Sequence, residues 1–304
     1  MQGTVRQKPV SLRLGFAGDE FGYAIDLGLP KPAQSAFGLD PEIKAECIWH
    51  GALLRPSALL TERKANVVRI RSAQDEWTVV TASLSPFESM MTHIFDPRNA
   101  PEMFTLRESI RAWRFYDHFR TDVDAPTRAA QIGTRTPVLA NDGADLAAAI
   151  QTIREIGDDE ALNAAVEDAF PGSSVYVENI AGWFSLMMKQ HGLLRPLSAA
   201  ELSDGTLRYF LLIAALLTPR PPELMVLNEP ETSLHSDLLA PLGRLIARAA
   251  ENSQVVVVTH SFPLIVALGE QEGSCAIKLE KSIGETVVAG AKKTSAPVWH
   301  WPSR

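Results

Sequence analysis

The chain has 304 residues, 46% hydrophobic and 21% charged, with a net charge of −7. That is globular composition, long enough for one large domain or two small ones, and the acidic balance excludes a global basic footprint for nucleic acid. Only two cysteines, Cys47 and Cys275, and no C-x-x-C argue against a disulfide framework or zinc site and for a reducing cytoplasm; no apolar run reaches a membrane span, and residues 1–10 lack a signal peptide's apolar stretch.

The first part reads as strands. Ser11–Ala17 alternates Leu12, Leu14 and Phe16 with Arg13 and Gly15, Gly18-Asp19-Glu20 is a turn, and Phe21–Leu29 returns as its partner. Pro30–Pro41 is a loop, and Ile43–Gly51, Val67–Ser72 and Trp77–Ala82 extend an antiparallel meander. From Phe104 to Arg120 the pattern is helical, with Phe104, Ile110, Trp113 and Phe119 as inner positions. Its Arg107, Arg111, Arg114, His118 and Arg120, interleaved with Trp113, Phe115 and Tyr116, offer either a solvated amphipathic face or a nucleic-acid contact, the former favoured by the acidic total.

Thr121–Pro137 is a loop, Asp145–Ile156 and Glu160–Phe170 are helices, and Val175–Ile180 with Trp183–Lys189 forms a hairpin across Ala181-Gly182. From Leu202 onward helix and strand alternate: Gly205–Leu217, Leu224–Leu227, Leu234–Ala250, Val255–Thr259, Phe262–Leu268. Short apolar runs between helices indicate a parallel sheet with helical crossovers. The apolar tail with Trp299, Trp301 and Pro302 is expected to dock on the domain.

Three motifs fall inside sixty residues of this last part. Leu224–Leu227 suits a strand buried on both faces, and Asn228, Glu229 and Glu231 stand at its carboxyl end, where α/β sheets bind ligands. An acidic residue there can hold Mg²⁺ through water, and the next carboxylate can orient or deprotonate an attacking water. Ser203 fits an N-cap, and Gly205 lets another group approach the backbone closely at the start of an apolar helix, whose free N–H groups suit a phosphate. His260, at the end of Val255–Val258, can donate to a phosphate oxygen or position water.

Together, Leu197–Ser261 resembles the SMC/RecF/OLD-type branch of ABC ATPases, small bacterial ATPases with an LSDGT signature and an NEPE Walker B. The resemblance implies an α/β P-loop NTPase fold: a parallel core sheet, an antiparallel β-meander lobe and a helical insertion. On that plan 1–98 is the antiparallel lobe, 99–194 the helical and hairpin lobe, and 195–304 the core. It implies ATP and Mg²⁺ as ligands, and an ATP sandwich formed by a homodimer or by a heterodimer with another ATPase subunit. Carried over, Ser203, Asp204, Gly205 and Thr206 are the signature, supplied in trans. Asn228 and Glu229 are the Walker B pair, with Glu229 the general base; Ser233, Leu234 and His235 are the D-loop; and His260 is the switch histidine. Asn228 stands where the family has aspartate and brings no negative charge to Mg²⁺.

The family's phosphate loop, G-x-x-x-x-G-K-[ST], is not in the chain. Lys281-Ser282 has no glycine just before it, and Lys293-Thr294 lacks the spaced glycines and follows Walker B. The expectation is a chain that starts at an internal methionine, its Walker A strand–loop–helix missing. The alternatives are a protein that lacks the loop and regulates an intact ATPase by pairing with it, or a nucleic-acid-binding module of repair or defence.

Overall fold

The computed structural model describes residues 10–30, 36–72, 74–94, 97–98, 100–282, 284–290, 299 and 301. It divides into two compact units, Met1–Arg111 with Ser282–Arg304, and Ala112–Lys281. Within them are a parallel core sheet and antiparallel sheets, the mixed α/β architecture expected.

The first unit is built on the meander. Strands β1 (Leu12–Ala17), β2 (Phe21–Gly28), β3 (Glu42–His50), β4 (Leu59–Lys64), β5 (Val67–Arg71) and β6 (Trp77–Thr81) pair in chain order, each antiparallel to the next. Strand β4 escaped the sequence reading because Thr61, Glu62 and Arg63 are polar yet buried, so the usual apolar alternation is absent. Successive side chains point to opposite faces. Ile48 therefore joins Val68, Ile70 and residues of helices α1 (Met90–His93) and α2 (Pro101–Ala112), while Cys47 and Trp49 join Leu54, Leu59 and the tail residues Trp299 and Trp301. Trp299 meets Trp49 edge-on at 5.1 Å, which seats the tail as expected; Pro302 lies outside the described residues.

A charged pair is sealed into this unit. Arg63 and Glu46 are 3.0 Å apart with both side chains fully buried. Glu46 also accepts from Tyr23 Oη at 2.7 Å and from the Met90 N–H at 2.8 Å. Arg63 donates to the carbonyls of Ala65 at 2.7 Å and Ser85 at 2.8 Å. Such saturation is what makes a buried charge tolerable.

The second unit holds the motifs. The helix expected over Phe104–Arg120 is corrected: α2 ends at Ala112, and Arg114–Tyr116 is a strand, β7. Aromatic residues favour strands, and three residues are too few to reveal their period. The buried positions of α2 are Met103 and Leu106, and Ile110 packs against the same core as expected, whereas Phe104 is exposed; Phe119 is buried, but beyond the helix. Next come β8 (Gln131–Ile132), inside the expected loop, and helices α3 (Leu146–Ile156) and α4 (Asp159–Ala169). Strands β9 (Ser174–Ile180) and β10 (Trp183–Lys189) form the hairpin, its tip turned by Ala181 and Gly182 at φ 53° and 88°. After β11 (Leu197–Ser198) follow α5 (Asp204–Leu216), β12 (Leu224–Asn228), α6 (Leu239–Ala250), β13 (Gln254–Val258) and α7 (Phe262–Gly269). Helix α6 starts later than expected, because Ser233 is left-handed at φ 65° and a tight turn over Ser236–Leu238 intervenes.

The parallel sheet has the order β13-β12-β7. Its inner face, with Tyr116, Met225 and Leu227, packs into one core with α3, α5 and α6. Leu224–Leu227 is not buried on both faces as expected: Leu224 and Val226 are partly exposed. Neighbouring Phe115, Val256 and Val258 are 53%, 41% and 50% exposed. Parallel sheets are normally covered on both faces, so this outer face is an unusual apolar surface. No described helix is long and apolar enough to cross a membrane.

Candidate functional site

The three parallel strands end at the same edge, and each end carries polar residues. Ladder register pairs Tyr116 with Leu227 and Asn228 with Val258. Asp117 and His118, Asn228 and Glu229, and Thr259 and His260 therefore emerge together. Asn228 Nδ2 donates to Asp117 Oδ1 at 2.6 Å. The Glu229 N–H continues the ladder by donating to the Val258 carbonyl at 2.8 Å. Glu229 then takes φ 44°, a left-handed conformation uncommon outside glycine. Its Oε1 is 3.3 Å from His260 Nδ1, with the side chains 49% and 78% exposed. At that exposure the pair contributes little to stability, so its value is positional.

A second tier lies beneath. Thr259 Oγ1 donates to Glu231 Oε1 at 2.5 Å and accepts from the Ser261 N–H at 3.0 Å. Glu231 Oε2 and Arg208 Nε are buried without a hydrogen-bond partner. Arg208, 4% exposed on α5, donates to the Glu229 carbonyl at 3.3 Å. Burial lowers its pKa, and the charges of Glu231 and Glu229 oppose that shift.

Helix α5 begins as its sequence dictates. Ser203 Oγ accepts from the Thr206 N–H at 3.2 Å and lies 2.9 Å from Thr206 Oγ1. Before it, Ser198 and Glu201 form a capping box. Arg128 fastens this approach, donating to the carbonyls of Ala199 at 3.0 Å and Leu202 at 2.7 Å and to the Asp204 carboxylate at 2.6 Å. Gly205 faces the Ser233 carbonyl so closely that a Cβ there would lie 2.5 Å from the oxygen. Ser203–Thr206 and Ser233–His235, two stretches singled out separately in the sequence, thus touch within one chain. His235 caps its own turn, accepting from the Asp237 N–H at 3.4 Å.

The residues brought together are therefore Asn228, Glu229 and His260, with α5 joined to them through Arg208. Asp117, Arg128 and Arg208 escaped the sequence reading. Arg208 carried a usable signal, the one charge within the apolar, buried run 207–216 of the helix. Arg128 carried none, since its partner Asp204 is 76 residues away. The aromatic and basic stretch 107–120 does not lie on one helix; Arg111 pairs with Glu108, Arg120 with Asp122, and Tyr116 is buried with its Oη on the Leu139 carbonyl at 3.1 Å. Lys281-Ser282 lies in an exposed strand, and Lys293-Thr294 is outside the described residues.

Asn228, Asp117 and Glu229 present oxygen donors, the chemistry that Mg²⁺ accepts. Among the described residues no group of three or more His, Cys, Asp or Glu could hold a metal. Mg²⁺ needs only one or two carboxylates where phosphates and water complete its shell, so the donor set fits a cation bound together with a nucleotide.

A protein-family model described as "AAA domain, putative AbiEii toxin, Type IV TA system" matches residues 71–267, more than half of the chain. No curated protein matches. Among solved structures, the SMC head domain from Thermotoga maritima is 14% identical, with 90% of this chain and 75% of that one covered and a TM-score of 0.39. The Smc head domain of Pyrococcus furiosus, solved with the C-terminal domain of ScpA, is 11% identical over 88% of this chain and 76% of that one, TM-score 0.40. That of Pyrococcus yayanosii, with a coiled coil and joint, is 17% identical over 46% of this chain and 27% of that one, TM-score 0.37.

Proposed function

The chain belongs to the AAA-domain family whose model spans residues 71–267, and on that premise we propose that the ends of β7, β12 and β13 form the hydrolytic half of an ATP site. The observation that carries this is the Glu229–His260 pair, 3.3 Å apart and open to solvent at the carboxyl edge of a parallel sheet. Glu229 takes the proton of a water that attacks the γ-phosphorus in line with the leaving ADP oxygen. His260 donates a hydrogen bond to a γ-phosphate oxygen and holds the water's approach. Asn228 faces the cation; Mg²⁺, when bound, neutralises charge that builds on the phosphate oxygens.

Ser203, Asp204, Gly205 and Thr206 offer a capped helix N-terminus to the γ-phosphate of a nucleotide held by a second subunit, with Ser233–His235 beside them. These 304 residues hold no G-x-x-x-x-G-K-[ST] loop, so the reading assigns them the hydrolytic half alone. The two-cysteine composition fits a cytoplasmic protein, and coupling of turnover to DNA repair or defence remains part of the same proposal. The test is Glu229→Gln in the protein purified with its native partners. Turnover is expected to fall by about 10²–10⁴-fold with ATP binding retained; unchanged turnover overturns the role of Glu229.

The uncovered face of Phe115, Val256 and Val258 favours a second reading, in which the chain is a non-catalytic partner of an intact ATPase. In that case Glu229→Gln leaves the assembly's turnover intact, while Gly205→Val, which blocks the Ser203–Thr206 surface, reduces it.

A further inference from the structure

Glu229 holds a backbone conformation that its own residue type does not favour. Its φ of 44° is left-handed, and Pro230 after it restricts the backbone further. A residue keeps such a conformation only where its surroundings over-determine it. Three groups act on it here. The Glu229 N–H donates to the Val258 carbonyl at 2.8 Å, and the Glu229 carbonyl accepts from the Thr232 N–H at 3.1 Å. Arg208 Nη2 donates to the same carbonyl at 3.3 Å. The first two bonds belong to the sheet and the turn, and the third reaches in from α5.

Arg208 is a costly residue for that place. It is 4% exposed, and its Nε–H is buried without a partner. Glu231, whose charge acts on it, has Oε2 buried without a partner and Oε1 held by Thr259 Oγ1. A buried, incompletely bonded guanidinium adds little to stability compared with an apolar side chain of similar volume. Leu207 before it and Phe210–Leu216 after it show what this stretch of helix otherwise takes. Packing does not account for the arginine; the bond to Glu229 does.

We propose that Arg208 is the positioning residue of the site: by holding the Glu229 carbonyl it fixes the left-handed turn that carries the Glu229 carboxylate to His260. Glu231, oriented by Thr259, is the buried counter-charge that keeps the guanidinium in place. The proposal rests on the ATP-site reading, because Arg208 acts through the base which that reading names. It also ties the conformation of the base to the start of α5, since Arg208 lies two residues beyond Thr206.

The test compares four full-length chains: the natural one, Arg208→Lys, Arg208→Met and Arg208→Gln. Backbone hydrogen exchange is followed by mass spectrometry in peptides covering 228–234 and 209–217. Loss of the guanidinium is expected to speed exchange in the first about tenfold and to leave the second unchanged. Arg208→Gln carries the comparison if Arg208→Met does not fold. An ammonium can still donate to a carbonyl, so Arg208→Lys is expected to stay nearer the natural chain. In the native assembly Arg208→Met is expected to lower kcat about tenfold at an unchanged half-saturating ATP concentration, the pattern of a misplaced base, with Arg208→Lys recovering part of the loss.

Equal exchange at 228–234 in all four chains overturns the proposal. So does faster exchange that extends through 209–217, the mark of packing alone. Turnover of Glu229→Gln is measured alongside. If that variant is inactive while Arg208→Met turns over as the natural chain does, the ATP site stands and the role of Arg208 falls. If turnover is indifferent to Glu229 while 228–234 loosens without the guanidinium, the hold on the turn is upheld and the ATP site is refuted.

Discussion

Gly205→Ala tests whether the start of α5 and the Ser233 turn are one mechanical unit. In an ordinary helix the change would stabilise, by about 0.8–1.0 kcal/mol at most. Here the new Cβ would lie 2.5 Å from the Ser233 carbonyl oxygen, so backbone must move by about 0.8 Å to restore an ordinary carbon–oxygen contact. Ser233 has little slack: it sits at φ 65°, and its neighbours are tied by Thr232 N–H to Glu229 carbonyl at 3.1 Å and Leu234 N–H to Glu231 carbonyl at 3.0 Å. Forcing a methyl into such a contact costs about 1–3 kcal/mol, so the net expectation is a loss of about 0–2 kcal/mol. Gly269, at the end of α7 with nothing within 4 Å of its would-be Cβ, is the control, and Gly269→Ala should hold or raise stability. Urea unfolding followed by circular dichroism at 222 nm, with slopes compared to verify equal exposure on unfolding, measures both. A gain of about 1 kcal/mol for Gly205→Ala would refute the close approach.

Arg63→Ala strands the buried Glu46 carboxylate without its cation and should cost about 3–5 kcal/mol in chemical denaturation; a loss below about 1 kcal/mol would mean water reaches the pair. Cys47 is buried, and desolvation together with the charges of Glu62 and Glu46 pushes its thiol up to about 12, whereas Cys275 is exposed. A disulfide reagent at mildly alkaline pH should therefore titrate Cys275 at once and Cys47 only after denaturation; prompt reaction of both sinks the burial of β3. Glu201 is held down from its ordinary 4.5 to about 2 by the Arg195 side chain and the Ser198 N–H. Its folded-state pKa is depressed, so its contribution is present above pH 4.5 and is lost as pH falls toward 2; a small acid-side loss of thermal stability should be absent in Glu201→Gln, and identical profiles would refute the capping box.

Much of this protein lay open in the sequence wherever local forces decide. Alternation of Leu12, Leu14 and Phe16 marked the first strand, Ser203 marked a helix start that its Oγ caps, and Leu224–Leu227 and Val255–Val258 marked parallel strands with polar ends. These follow from side-chain period and from capping, which act over a few residues. What the sequence could not decide depends on distant partners. Arg114–Tyr116 became a strand because it pairs with Met225–Leu227, a contact more than a hundred residues away that overrides the helical pattern preceding it. The same pairing sets Asp117 beside Asn228, and the fold alone sets Arg128 against Asp204 and the Ser233 carbonyl against Gly205. Local chemistry named the residues at the strand ends; the long-range register of the sheet decided which of them meet.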